Sequence, residues 1–349
     1  MAVDLTDQIL QYLTTAPSSL FAQQKVEVID HWEGDAHLLW RVNAGDQRAQ
    51  HAVVKLFLDA GQARSRRQFD GHQIFAPLGL APQPMWADRY PHGLSRQLIV
   101  YSWSDGEPVV PGDPSELDAW AEAIARLHNT PIEEVRRFSP HPINLDYYWR
   151  IEQVSITQID RWLAPSGLTL HTIFHGLAGA TTQLVKQSLP LWATAAPTPV
   201  HGDLSHAHTL LERGRVLLLD WEMFGLGDPA LDVAHMLQHE AQTLTADQTD
   251  AWLDRYLSAI DQPEIGARID IFRRLLEMHN VVYLLVGLQQ NAIGPLDAEL
   301  SAALPFIQTT LNTAITNAAA ALKFSEPLEP QIAVADFIEW LEGATPTPS

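Results

Sequence analysis

The chain contains no cysteine, and that absence removes disulfides, thiolate zinc sites, thiol nucleophiles and iron–sulfur clusters together. Lysine is nearly as scarce. Only Lys25, Lys55, Lys186 and Lys323 occur, so eighteen of the 22 basic residues are arginine. Against these stand 42 acidic residues, and the net charge of -20 argues against unassisted binding to nucleic acid or to an anionic membrane surface. Long apolar runs are missing too: the most apolar stretch, Val281 to Leu288, falls far short of the ~20 residues that a bilayer span requires. The N-terminal stretch MAVDLTDQILQYL has no basic segment and sets Ile9, Leu10, Tyr12 and Leu13 at helical spacing, so it is not a secretory signal. A soluble, cytoplasmic protein is expected.

What remains is ordinary globular composition, 46% apolar and 8% aromatic over 349 residues, enough chain for about two domains at ~150 residues each. After the first helix, Val26–Ile29, Leu38–Val42 and Ala52–Leu58 read as strands of an antiparallel meander, with a polar turn over Asn43–Gln50. Ser65–Ala76 reads as a helix closed by Pro77 and Gly79, and Gln97–Trp103 as another strand. The polar, Gly- and Pro-rich stretch Ser104–Pro114 is the natural hinge between domains. Beyond it the chain turns helical, from a helix capped by Ser115 through amphipathic stretches near 145–163, 170–189, 231–242, 247–260, 265–289 and 297–321. One segment interrupts that pattern, a β-loop-β insertion from Val200 to Leu237 with apolar runs at Val200 and Val216–Leu219. The fold class is therefore α+β.

That insertion carries the chemistry. It reads His201-Gly202-Asp203-Leu204-Ser205-His206-Ala207-His208, then Val216-Leu217-Leu218-Leu219-Asp220-Trp221-Glu222, then Gly227-Asp228-Pro229 and Asp232. An acid leaving one strand, a potential ligand five residues on, and a second acid ending the next strand, at 220, converge on one loop cluster. Divalent-metal chemistry needs such convergence: anionic oxygens for the ion and one free carboxylate to accept a proton. The pattern resembles the catalytic segment of the aminoglycoside phosphotransferase and choline kinase-like family, relatives of the protein kinases.

The resemblance implies a protein-kinase-like two-lobed fold, with a small antiparallel-sheet N-lobe over 1–103, a hinge over 104–114 and a large, mainly helical C-lobe over 115–349. It implies transfer of the γ-phosphate of ATP or GTP to a hydroxyl of a small acceptor, without nucleic-acid or membrane partners. Asp203 would be the base that orients and deprotonates that hydroxyl, and Asp220, with His208, would hold Mg²⁺ or Mn²⁺. Lys55, inside Val53-Val54-Lys55-Leu56-Phe57, would grip the nucleotide phosphates under the turn containing Gly34 and Asp35. Ser102 and Trp103 fall in the segment whose backbone binds adenine, while His201, Asp228 and Asp232 would brace the catalytic loop.

Two positions depart from the family pattern. Gln68 stands where an acid usually pairs with the strand lysine; an amide can accept a hydrogen bond from Lys55 but adds no charge, and Asp70 would substitute if the helix register shifts. His208 stands where most members have asparagine, and a histidine there resembles the macrolide phosphotransferase branch. Imidazole suits softer ions than Mg²⁺, so His208 either relaxes metal preference toward Mn²⁺ or donates to a phosphate oxygen.

Other readings of the same residues stand beside this one. A lone Lys55 would read as an edge-strand gatekeeper. His206 and His208 with Asp203 would make the zinc site of a metallohydrolase, and Gln68 with His208 would mark a pseudokinase-like nucleotide binder with little turnover. For the acceptor, aminoglycosides, choline-like amines, macrolides and sugars all remain open. Asp146-Tyr147-Tyr148-Trp149 would either cage an amine cation or pack the core, and Glu240, Asp247 and Asp250 would either line the cleft or be solvated.

Overall fold

Side-chain alternation decides the architecture of the first hundred residues. In the computed structural model, which describes residues 5–45, 50–59, 63–131, 133, 135, 137–291, 298–325 and 329–344, β1 (Val26–Glu33), β2 (His37–Ala44) and β3 (Gln50–Phe57) form the expected meander. Of the turn expected over Asn43–Gln50, residues 46–49 lie outside the described ones. Two more strands, β4 (Pro84–Asp88) and β5 (Leu98–Ser102), complete a five-stranded sheet of order β1-β2-β3-β5-β4. The central strand β3 is buried from Ala52 to Phe57. Because successive side chains point to opposite faces, Ala52, Val54 and Leu56 enter the core beneath α1 (Leu5–Thr15), where Ile9, Tyr12 and Leu13 close it, and Lys55 faces the other way. In that core Trp86 Nε1–H donates to the Tyr12 hydroxyl, which donates to Asp88, and burial pushes the phenol pKa up to about 12.

Helix α2 (Arg64–Phe75) follows β3, and α3 (Pro114–His128) follows the stretch 104–113. The cap of α3 is Asp113 rather than the expected Ser115: its carboxylate accepts from the Ser115 and Glu116 N–H groups, with Pro114 in the first helical position, where its missing N–H is harmless.

The described residues divide into two compact units. The first takes in Met1–His141, Pro197–Asp232 and His239–Gln262; the second Pro142–Ala196, Val233–Gln238 and Pro263–Ser349. The stretch 104–114 thus lies inside the first unit. There α3 packs on α7 (Ala246–Ala259), with Trp120 and Trp252 edge to face at 5.9 Å. The expected β-loop-β insertion is more divided than its apolar runs suggest. β7 (Thr198–Val200) pairs with β10 (Gly225–Gly227), while β8 (Thr209–Glu212) and β9 (Arg215–Leu218) form a hairpin beside β6 (Glu107–Pro108). Positive φ at both Arg213 and Gly214 makes that two-residue hairpin turn, so Val216–Leu218 pairs locally instead of with Val200.

The second unit is helical: α4 (Leu145–Leu163), α5 (Thr169–Ser188), α8 (Ile265–Asn291), α9 (Ala298–Leu322) and α10 (Pro330–Ala344). Tyr148 and Trp149 are buried, Tyr148 against Phe272, so of the four residues opening α4 they serve the core and only Tyr147 of the two tyrosines is exposed. The terminal helix α10, absent from the sequence reading, packs Phe337 and Trp340 on Trp162. No helix among the described residues is long and apolar enough to cross a membrane.

Candidate active site

An ammonium group on a buried central strand demands partners, because an unpaired charge there would be expelled from the fold. Lys55 is 2% exposed, and its Nζ lies 2.5 Å from Asp220 Oδ1 and 3.3 Å from Glu222 Oε2. β3 lies inside the sheet, which removes the edge-gatekeeper reading. Glu222 extends the network: its Oε1 accepts from Arg64 Nη1 at 2.9 Å, at the start of α2, and His37 Nδ1 stands 3.9 Å from its Oε2. Burial alone would push the Asp220 carboxyl up, but Lys55 beside it outweighs that and holds it below the usual carboxylate range. Asp220 itself sits at φ 59°, ψ 57°, a left-handed conformation that costs a non-glycine residue about 1–3 kcal/mol and clusters at functional sites.

The loop from His201 to His208 is held at both ends. Asp232, on α6 (Pro229–His239), accepts the N–H of His201 at Oδ2 and that of Gly202 at Oδ1, each at 2.9 Å, and His128 Nε2 lies 3.2 Å from Oδ2. Burial would raise the Asp232 carboxyl; the His128 contact and His201 reverse the sign and hold it low. Asp228 is buried and accepts the Ala230 N–H at the start of α6. His201 Nε2–H donates to the Leu219 carbonyl at 2.7 Å, the residue before Asp220, while its Nδ1 accepts the Asp203 N–H at 3.3 Å. Burial lowers the pKa of this imidazole, in keeping with a neutral ring that donates once and accepts once. Gly202, at φ 85°, is the one residue type that fits, since a Cβ there would meet Met223 Cβ at 2.7 Å.

So supported, the Asp203 carboxylate is half exposed, and its Oδ2 lies 3.4 Å from His208 Nδ1. That ring nitrogen is also 3.1 Å from the Asp203 carbonyl, which can only accept, so Nδ1 carries a proton and Nε2 is the nitrogen left to face a ligand. A metal-binding histidine is commonly oriented this way. Among the described residues, His37, Asp220 and Glu222 bring three potential ligand atoms within 4.8 Å of one another. These two carboxylates and one imidazole fit a divalent ion; His208, the ligand expected beside Asp220, is not one of the three. Burial and then Lys55 lower the His37 pKa, leaving its ring neutral and able to ligate.

Between β1 and β2, the Gly34 N–H closes a turn onto the His37 carbonyl at 3.0 Å, with Asp35 at its exposed tip. The Ser102 N–H bonds the Gln83 carbonyl and the Trp103 N–H the His51 carbonyl. Both donors are thereby used within the fold. The Trp103 indole lies parallel to Trp32 at 6.1 Å, with the Arg41 guanidinium 4.0 Å from its ring centroid.

The family model described as "Phosphotransferase enzyme family" matches residues 31–268, well over half of the chain. The chain belongs to that family. Solved structures share the fold at low identity: a choline/ethanolamine kinase family protein from Mesorhizobium loti (19% identical, 92% of this chain and 100% of that one, TM-score 0.56) is one. Another is an aminoglycoside phosphotransferase from Alicyclobacillus acidocaldarius (14%, 90% and 93%, 0.51). A third is the amicoumacin kinase hAmiN, solved with AMP-PNP, Ca²⁺ and Ami (13%, 89% and 92%, 0.55). The α+β fold is thus the protein-kinase-like one, and the protein is a small-molecule phosphotransferase with a hydroxyl acceptor.

In this phosphotransferase the acid that partners the strand lysine comes from an unexpected place. Gln68 is buried on α2, and its Oε1 has no hydrogen-bond partner. Asp70 bonds Arg137 at 2.7 Å instead of Lys55. Glu222 takes the role, and the sequence signal for it was present in Asp220-Trp221-Glu222, two residues beyond Asp220. Trp221, fully buried and stacked on Phe75 at 4.7 Å, fixes that turn against α2, where Gly71 leaves room for it: a Cβ at Gly71 would lie 2.9 Å from the indole. The zinc-hydrolase reading fails on the same geometry. His206 is held by the fully buried Glu240, through its N–H at 2.9 Å and Nδ1 at 2.7 Å, whereas His208 turns to Asp203.

Proposed function

We propose that this phosphotransferase moves the γ-phosphate of ATP or GTP onto a hydroxyl of a small acceptor, an aminoglycoside, macrolide, choline-like amine or sugar, with Asp203 as the base. The observation that carries the reading is the pairing of buried Lys55 with Asp220, next to a loop tied through His201 and Asp232 that presents a half-exposed Asp203. Phosphoryl transfer passes through a loose, highly charged transition state, so positioned charges do most of the catalysis. Lys55 would hold the phosphates beneath the Gly34–Asp35 turn, and Asp203 would take the acceptor proton as the new O–P bond forms. Asp220, with His37 and Glu222 in the same cluster and with His208, would hold Mg²⁺ or Mn²⁺. When bound, that ion would neutralise charge on the phosphate oxygens. The Ser102–Trp103 segment would receive the base through its carbonyls, and the lobes would meet over 104–114.

The amicoumacin kinase hAmiN, similar in fold, is itself a nucleotide- and Ca²⁺-bound structure, which supports this donor and ion class. The net charge of -20 suits an acceptor that carries positive charge. The pseudokinase reading leaned on Gln68, and Glu222 supplies the carboxylate that Gln68 lacks. The test is a thermal-shift screen of ATP and GTP with Mg²⁺ or Mn²⁺ against aminoglycosides, macrolides, amino alcohols and sugars, since ligands raise apparent stability by mass action. Hits are then assayed for nucleoside diphosphate release. Nucleotide binding with no release across the whole panel would overturn the proposal.

A further inference from the structure

We propose that Asp160, His171 and His175 form a second metal site, for a borderline divalent ion of the Zn²⁺ class, that ties α4 to α5. None of the three takes part in phosphoryl transfer as described above. His171 and His175 are four residues apart on α5, one turn of helix, so both rings leave the same face. The other face of α5 carries the buried Leu170, Ile173, Phe174 and Leu177, while His175 is exposed and His171 partly so. Asp160 projects from α4 beside the buried Ile159.

The three ligand atoms converge. Asp160 Oδ1 lies 3.2 Å from His171 Nε2 and 3.1 Å from His175 Nδ1, and all three lie within 4.8 Å of one another. A tetrahedral first-row ion with metal–ligand bonds of about 2.0–2.2 Å separates neighbouring ligand atoms by roughly 3.3–3.6 Å, a few tenths of an ångström beyond the two Asp160–histidine distances, which small side-chain rotations supply. Charge-assisted hydrogen bonds to a carboxylate are shorter, about 2.7–2.9 Å. Two imidazoles and one carboxylate form a donor set that zinc favours and that Mg²⁺ and Ca²⁺ do not. Two rigid helices position the set, and three protein ligands leave one coordination position for water. His175 is 74% exposed, so an ion enters from solvent without any rearrangement of the core.

The test uses the full chain, freed of metal with a chelator and titrated with Zn²⁺ against a chromophoric competitor. The wild type is expected to bind one equivalent that is weakened at least about ten-fold by His171→Ala and by Asp160→Asn, and lost in His171→Ala/His175→Ala. Asp220→Asn, which removes a ligand of the phosphotransfer site, should leave that equivalent in place. Co²⁺ in place of Zn²⁺ should give a visible d–d band that disappears in the same variants. The histidines are surface groups, so far-UV circular dichroism of the metal-free double variant should match wild type. A zinc stoichiometry and a cobalt band that the double substitution leaves at the wild-type level, with the decrease seen in Asp220→Asn instead, would overturn the proposal, as would a wild type that binds no zinc.

Discussion

Glu222 Oε2 lies 3.3 Å from Lys55 Nζ, so the buried lysine that faces Asp220 has a second carboxylate from the same turn, and the same Glu222 reaches Arg64 at the start of α2. Glu222→Gln removes one negative charge from two cations. It should raise the nucleotide KM, lower kcat/KM by roughly ten- to a hundred-fold and destabilise the fold by about 1–3 kcal/mol. Steady-state kinetics and urea unfolding check both. Asp70→Asn, which breaks only the part-exposed pair with Arg137, should change neither by much; equal behaviour of the two variants would remove Glu222 from its role.

Lys55 and Asp203 should fail differently. Lys55→Ala leaves Asp220 without its cation in a buried place and Glu222 with Arg64 alone, so loss of turnover comes with a stability loss of about 3–5 kcal/mol. Asp203 is half exposed, so Asp203→Asn should fold and bind nucleotide like wild type while kcat falls by about 10²–10⁴-fold. Isothermal titration with a non-hydrolysable nucleotide separates them. An Asp203→Asn enzyme with full turnover would end its assignment as the base.

Much of this was legible beforehand because period and punctuation carried it. The meander, α2, α3 and most later helices announce themselves by alternation or by apolar residues three and four apart. The His201-to-Asp232 segment was readable as one loop cluster from its acids and glycines, but the zinc reading of His206 and His208 fell only when packing gave them different partners. What escaped depended on contacts between distant parts of the chain. Gln68 and Asp70 occupy the right helix, yet Arg137 draws Asp70 away and Trp221 brings Glu222 toward Lys55, neither of which a local pattern encodes. The division of the Val200–Leu237 segment into separate sheets turned on the conformations of Arg213 and Gly214. Asp160 gathers two histidines from the next helix, a meeting of elements that only packing reveals.

Gln68 holds an acceptor that nothing satisfies, and it does not tether Lys55. Gln68→Leu should therefore leave kcat and nucleotide KM within about two-fold of wild type, and its unfolding free energy should fall by no more than about 1 kcal/mol or rise. A variant that folds and loses nucleotide affinity would show that the amide matters after all.

His208 Nδ1–H donates to the Asp203 carbonyl, so Nε2 is the ring nitrogen that could offer a lone pair to an ion. His208→Asn replaces it with an oxygen donor, which Mg²⁺ prefers. The ratio of kcat/KM with Mn²⁺ to that with Mg²⁺ should be higher for wild type than for the variant. Identical ratios would mean that His208 acts on a phosphate oxygen or on Asp203 instead of on the ion.

His72 lies fully buried on α2, its ring edge-on to Tyr101 at 4.7 Å, and burial, with Lys55 adding to it, lowers its pKa from 6.5 to about 3. The unfolded chain takes up a proton near pH 6.5 that the native state refuses until about pH 3, so stability falls as pH drops through that window. One such group contributes a slope of about 1.4 kcal/mol per pH unit, and buried His201 adds in the same direction. The lowered carboxyls of Asp220 and Asp232 act below the ordinary carboxylate pKa of ~4, so urea unfolding between pH 6 and about 4.5 isolates the histidines. His72→Leu should flatten the pH dependence there by roughly one proton's worth, whatever it does to stability at pH 8. An unchanged slope would mean that His72 protonates in the folded protein.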